Sequence, residues 1–97
     1  MNLRYYRESL REIVHAATYY EKNRCGLGSE FLDEIDVAIA RILANPTSFE
    51  QIKPGSPRCL VRRFKYSICY RTPDSETVRI IVVRHHSRRP GFGMRRK

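Results

Sequence analysis

Histidines and arginines near the C-terminus are the residues of this 97-residue chain best suited to chemistry. His85 and His86 follow Arg84 and precede Arg88 and Arg89. A histidine titrates near neutral pH and can move a proton, while arginines bind phosphate and stabilise charge that develops on it. Such a set would suit cleavage of RNA without a metal, with His85 and Arg84 as candidate catalytic residues. The alternative is that His85 is structural or contacts a binding partner.

Positive charge is concentrated in the second half of the chain. Residues 1–50 contain six Lys or Arg and eight Asp or Glu, whereas residues 51–97 contain thirteen and two. A field of this kind attracts a polyanion or an acidic protein, although a basic surface can also serve solubility alone. Arg63 is the third candidate catalytic residue. The residues expected to contact a target or a nucleic acid are Arg58, Arg62, Arg63, Tyr66, Arg84, His85, His86, Arg88, Arg89 and Phe92.

Length and composition predict one globular domain over residues 1–97. No apolar run approaches the ~18 residues of a membrane span, and the first residues lack the apolar segment of a signal peptide. We therefore expect a cytoplasmic protein with no membrane partner. Cys25, Cys59 and Cys69 show no metal-binding spacing, so no metal site and no cofactor are predicted. Cys59 and Cys69 are expected to lie opposite each other across a hairpin.

Residue patterns predict the element order β-α-α-β-β-β. A short strand at residues 3–6 precedes a helix capped by Ser9 and Glu12, and a turn at residues 25–28 leads to a second helix that stops at Asn45-Pro46. Strands follow at about residues 58–64, 66–72 and 77–85. Because connections this short join antiparallel neighbours, the predicted fold is α+β, with a helical hairpin packed on one face of a small, mostly antiparallel sheet.

Periodicity also predicts which residues lie on which side of the sheet. The opposite face is expected to display arginines from several strands beside Tyr66 or Tyr70, or to carry charge only at an edge strand. The helix residues predicted to face the sheet are Leu10, Ile13, Ala17, Phe31, Ile35, Ile39 and Ile42.

Motifs along almost the whole chain resemble those of the RelE/ParE superfamily of bacterial toxins. In order, they are Tyr19-Tyr20, Gly26-Leu27-Gly28, Phe31-Leu32-Asp33-Glu34, Ala44-Asn45-Pro46, Gly55 with Arg58, Arg63-Phe64 with Tyr66, Ile68 and Tyr70, and His85 with Arg88-Arg89-Pro90-Gly91. The resemblance implies the toxin of a type II toxin-antitoxin module. Its partner would be a cognate acidic antitoxin, which we expect to cover the basic sheet.

The resemblance implies two alternative targets. The RelE branch cleaves mRNA in the ribosome, and the ParE branch poisons DNA gyrase. This sequence departs from the nuclease pattern at Ser67 and His86, where that branch carries Arg, and at Phe92, where it carries Tyr. Each departure removes a group from the phosphate site, so gyrase or another target is favoured over RNA cleavage. A stand-alone nucleic-acid-binding module is a further alternative, since a basic sheet with tyrosines can bind and stack on bases.

Overall fold

A computed structural model describes residues 1–89 and 91–96 of the chain. Its strands form one sheet in the order β1-β4-β3-β2, in which β1 is parallel to β4 and the other two pairs are antiparallel. The predicted β-α-α-β-β-β order and mostly antiparallel sheet are therefore confirmed. The elements are β1 (Asn2–Tyr5), α1 (Arg7–Asn23), α2 (Leu27–Ala44), β2 (Arg58–Leu60), β3 (Tyr66–Asp74) and β4 (Thr77–His85).

Both helices pack on one face of the sheet and form the main core with it. On α2, Phe31, Ile35, Ile39 and Ile42 recur at helical spacing, and none is more than 7% exposed. Burial of this stripe is the principal reason why the helix is stable on the sheet. Among the described residues, no helix is long and apolar enough to cross a membrane. The predictions for Ile13, Ala17, Phe31, Ile35, Ile39 and Ile42 are confirmed, since all of them are buried in this core or pack against it.

The prediction that Leu10 faces the sheet is wrong. Leu10 is 47% exposed, and Val14, one turn further along α1, is 64% exposed. The buried residues of α1 are Ser9, Ile13 and Ala16, so the core-facing side is rotated from the predicted one. Ser9 is not a cap either, because α1 begins at Arg7 and the Ser9 hydroxyl donates to the Tyr6 carbonyl oxygen at 2.6 Å.

Strand β2 ends at Leu60, earlier than predicted, because residues 61–65 form the turn to β3. Arg63 adopts a φ of 71° in this turn, and the Val61 N–H donates to the Tyr66 carbonyl oxygen at 2.9 Å. The register places Cys59 opposite Ile68, and Cys59 lies in the main core. Cys69 lies in a second cluster on the other side of the sheet. The prediction that Cys59 lies opposite Cys69 is therefore wrong, because the pairing is shifted by one residue.

The second face of the sheet carries a smaller apolar cluster, and the register places Arg58 and Arg84 on this same face. The buried residues of the cluster are Cys69, Ile81, Val82 and Met94. A register shift between Cys69 and Tyr70 in the β3–β4 pairing allows the consecutive residues Ile81 and Val82 to join this cluster. The C-terminal segment, residues 91–96, covers the cluster through Met94, which is 7% exposed.

The side chain of Arg71 fastens the C-terminal segment to the sheet. It donates to the carbonyl oxygens of Met94 at 3.0 Å, Arg96 at 3.4 Å and Gly55 at 3.0 Å. Tyr66 and Tyr70 lie on the helix side, where both belong to the main core. The prediction that these tyrosines lie on the face opposite the helices is therefore wrong, although Tyr66 does lie beside Arg84 and Arg88.

Candidate functional site

A cleft of about 320 Å³ lies between α1, the end of β4 and the C-terminal segment. Its walls combine basic side chains with two aromatic rings, an arrangement suited to an anionic ligand that also presents an apolar or planar group. We call it the cationic cleft. Its lining residues are Arg11, Glu12, His15, Tyr66, Val83, Arg84, Arg88 and Phe92.

The inner wall of the cationic cleft is built on the open edge of β4. Strand β1 pairs with β4 only as far as Ile80, so within the described part of the chain the backbone beyond Ile80 has no neighbouring strand on that side. Glu12 of α1 takes the place of a strand by accepting the Val83 N–H at 3.0 Å. Arg96 pairs with Glu12 at 3.0 Å and donates to the Ile81 carbonyl oxygen at 3.1 Å. Among the described residues that line the cleft, Glu12 is the only one with a carboxylate, and it is thus already paired.

Arg84 is the buried cation of the cleft, with 8% of its surface exposed. Its guanidinium donates to the Arg89 carbonyl oxygen at 3.3 Å and so supports the backbone after β4. Burial raises the pKa of the neighbouring Cys69 thiol, and the positive charge of Arg84 acts in the opposite direction. Arg84 therefore adds charge to the cleft wall and also has a structural role.

Two guanidinium groups lie over the ring of Phe92. The Arg88 guanidinium carbon lies 4.8 Å from the centre of the Phe92 ring, and that of Arg96 lies 5.7 Å away. Such contacts hold the cations over the ring by cation–π attraction. Across the cleft, burial raises the pKa of the Tyr66 hydroxyl, while the charge of Arg88 acts against that shift. Arg88 thus lies over the Phe92 ring in the same cleft as Tyr66.

His85 is the cross-strand neighbour of Tyr66, and the two rings meet edge to face at 5.2 Å. The Ser87 backbone N–H donates to His85 Nδ1 at 3.0 Å, and the Ser87 hydroxyl oxygen lies 2.7 Å from the same atom. Because Nδ1 accepts a hydrogen bond, the neutral ring carries its proton on Nε2. The next residue, His86, places Nε2 at 2.9 Å from the Ser67 hydroxyl oxygen.

Arg58 of β2 and Arg63 of the following turn do not line the cationic cleft, and both form ion pairs. Arg63 contacts Glu30 at 2.6 Å and Glu34 at 4.0 Å. The hydrogen bond from Arg63 to Glu30 lowers the pKa of the Glu30 carboxyl. Arg58 contacts Glu50 at 2.9 Å. Their charges are therefore partly neutralised by the chain itself.

The structure brings together only part of the predicted site. Arg62 is exposed in the turn that holds Arg63, and Arg89 contributes its carbonyl oxygen next to the cleft. Within residues 1–89 and 91–96, no group of His, Cys, Asp or Glu is suited to hold a metal ion. The predicted residues that line the cleft are Tyr66, Arg84, Arg88 and Phe92.

Residues of α1 in the cationic cleft were missed by sequence reasoning. Arg11 and His15 are four residues apart, a spacing that places them on one side of a helix and that was visible in the sequence. Their position beside the C-terminal segment was not visible, because it depends on how α1 crosses the open edge of β4. Glu12 was assigned to a helix cap, and no local pattern indicated its contact with Val83.

Comparisons with known proteins agree with the fold. The sequence matches a family model, the ParE toxin of the type II toxin-antitoxin system parDE, over residues 3–90. A solved structure described as the chromosomal ParDE TA system from P. aeruginosa is similar, with a TM-score of 0.71 and 16% identity over 88% of this chain and 95% of that chain. At this identity the likeness concerns the fold alone. Comparison with curated proteins gave no match. Since the family model spans nearly the whole sequence, the chain belongs to the ParE toxin family and is the toxin component of a type II toxin-antitoxin system, with a cognate antitoxin as its partner.

Proposed function

We propose that this toxin arrests growth by poisoning DNA gyrase and that it does not cleave mRNA. The observation that carries the proposal is the separation of the three candidate catalytic side chains, His85, Arg84 and Arg63. Phosphodiester cleavage by side chains requires an acid, a base and a cation within hydrogen-bond reach of one phosphate. His85 and Arg84 are successive residues of a strand and project from opposite faces, while Arg63 is paired with Glu30.

The departures from the nuclease pattern have local structural roles that support the same proposal. Ser67 and His86 are hydrogen-bonded to each other at 2.9 Å, so each of these side chains already has a hydrogen-bond partner within the protein. Phe92 supplies a ring for Arg88 and carries no hydroxyl to donate a proton. The proposed target therefore engages the toxin by binding, and the proposed place of action is the cytoplasm, where gyrase works on the chromosome.

The test is expression of the toxin without antitoxin, with two readouts in the same cells. We expect covalent gyrase–DNA complexes to accumulate and plasmid supercoiling to fall, while the 5′ ends of mRNA stay unchanged. Phe92→Tyr returns the missing hydroxyl at a half-buried position and should leave the rate of killing unchanged. Ser67→Arg is unsuitable for this purpose because Ser67 is 1% exposed. Faster killing by Phe92→Tyr together with new mRNA ends would instead support a weakened nuclease.

A further inference from the structure

We propose that the outer side of α1 is an anchoring surface for the antitoxin, and that the antitoxin places an acidic side chain in the adjoining cationic cleft. The surface, here called the α1 ridge, consists of Leu10, Arg11, Val14, His15 and Thr18. The inference rests on membership of a type II toxin-antitoxin family, which supplies the partner, and does not depend on gyrase being the target.

The apolar residues of the α1 ridge belong to neither apolar cluster of the described part of the chain. Leu10 and Val14 lie one helical turn apart on the same side of α1, with 47% and 64% of their surfaces exposed. A shallow groove of about 450 Å³ runs over them. Two large apolar side chains at this spacing match the contact that one face of an amphipathic helix makes in a groove.

The α1 ridge is continuous with the cationic cleft, because Arg11 and His15 line both. The cleft also contains the cations Arg84 and Arg88, whereas its one carboxylate, Glu12, is paired with Arg96. A carboxylate that follows the apolar residues of a bound segment would enter this excess of positive charge.

The combination of apolar and cationic parts favours a protein over a nucleic acid. A nucleic-acid backbone would contact the cations and would leave Leu10 and Val14 uncovered. An acidic amphipathic segment covers both parts at once, and it complements a toxin of formal net charge +9. The chemistry of the α1 ridge therefore fits the antitoxin expected for this family.

The experiment compares the affinity of toxin variants for the cognate antitoxin, with the two full-length proteins co-expressed, separated and mixed again. Val14→Asp removes the apolar contact and Arg11→Glu reverses the charge between groove and cleft. Matched controls are Val37→Asp, at an exposed valine of α2 (45%), and Lys53→Glu, at an exposed lysine of the loop after α2. We expect each α1 substitution to raise the Kd by about tenfold or more, the effect of losing one central contact, and each control by less than about threefold.

The same experiment distinguishes loss of antitoxin binding from a folding defect and from binding of a different partner. Thermal unfolding of each variant is measured first, and Val14→Ser replaces Val14→Asp if the latter lowers the melting temperature more than Val37→Asp does. Antitoxin affinity that is unchanged in the α1 variants overturns the proposal. The proposal is also overturned if Val14→Asp abolishes self-association of the toxin or inhibition of gyrase while antitoxin affinity stays at the value of the original chain.

Discussion

The Arg96 guanidinium lies 3.0 Å from the Glu12 carboxylate, so a residue near the C-terminus is ion-paired with the first helix across the open edge of β4. Both side chains also contact the β4 backbone, Glu12 at the Val83 N–H and Arg96 at the Ile81 carbonyl oxygen. The pair therefore satisfies backbone groups of β4 that a neighbouring strand would otherwise bind. It also stabilises the wall of the cationic cleft.

Glu12→Ala should lower the free energy of unfolding by about 1 to 3 kcal/mol, because it leaves the Val83 N–H without its acceptor. Chemical denaturation measures the change. Asp33→Ala, at an exposed carboxylate of α2, is the control and should stay within about 0.5 kcal/mol of the original chain. Equal stability of the two variants would show that the Glu12 contacts do not hold the edge of β4.

Gly93→Ala should destabilise the C-terminal segment, whereas Gly91→Ala should be tolerated. Gly93 has a φ of 76°, and a Cβ there would lie 2.6 Å from Cγ2 of Val82. Gly91 has nothing within 4 Å of the same position. Strain at a positive φ typically costs about 1 to 3 kcal/mol, and the added clash increases it. Hydrogen exchange at the amides of Met94 and Arg96 would report the loosened segment, and equal exchange in both variants would contradict the packing described for residue 93.

Ile35→Asp should unfold most of the protein at physiological temperature, because it introduces an unpaired charge at a core position that is 2% exposed. The cost, several kcal/mol, is a large share of the roughly 5 to 15 kcal/mol of a typical domain. Val37→Asp, two residues along α2 and 45% exposed, provides the comparison and should change the melting temperature little. A melting temperature of Ile35→Asp equal to that of Val37→Asp would contradict the assigned core face.

The core of α2 was predictable from the sequence, while the orientation of α1 was not. The spacing of Phe31, Ile35 and Ile42 leaves one possible apolar side for α2. On α1, apolar residues span a wider arc, and both Leu10 and Ile13 fit a stripe. The choice between them depends on the crossing of α1 over β4, where Glu12 bonds to the Val83 backbone. A polar contact 71 residues away in sequence leaves no periodic signal.

The candidate site was predicted only in part, because its α1 residues were missed and some predicted residues lie elsewhere. Tyr66, Arg84 and Phe92 lie together as the basic C-terminal half suggested. Arg63 was placed in a strand, yet it occupies a left-handed position in a turn and is ion-paired with α2. Turn geometry of this kind is difficult to predict because Arg is not a residue that favours a positive φ.

Tyr70 should make stability fall at alkaline pH. The side chain is 1% exposed, its hydroxyl donates to the Pro46 carbonyl oxygen, and burial raises the pKa of Tyr70 to about 12. Because the folded pKa exceeds the unfolded value near 10, the stabilising contribution of the protonated hydroxyl is complete below about pH 10 and is lost as the pH rises towards about 12.

Tyr70→Phe tests this dependence by removing the titrating hydroxyl while keeping the ring. The variant should be less stable by about 1 kcal/mol at neutral pH and should lose less stability than the original chain between about pH 10 and pH 12. Urea denaturation across this range measures both effects. Parallel stability curves for the two proteins would contradict a raised pKa at Tyr70.

Purified gyrase provides the most direct test of the proposal that this toxin acts by binding gyrase and not by cutting RNA. The toxin, released from its antitoxin, is added to gyrase with relaxed plasmid and ATP, and in parallel to translating ribosomes. We expect loss of supercoiling with accumulation of cleaved plasmid, reversal by added antitoxin, the same activity in His85→Ala, and intact mRNA. Normal supercoiling together with codon-positioned mRNA cuts that His85→Ala abolishes would contradict the claim and make His85 an acid or base of a nuclease.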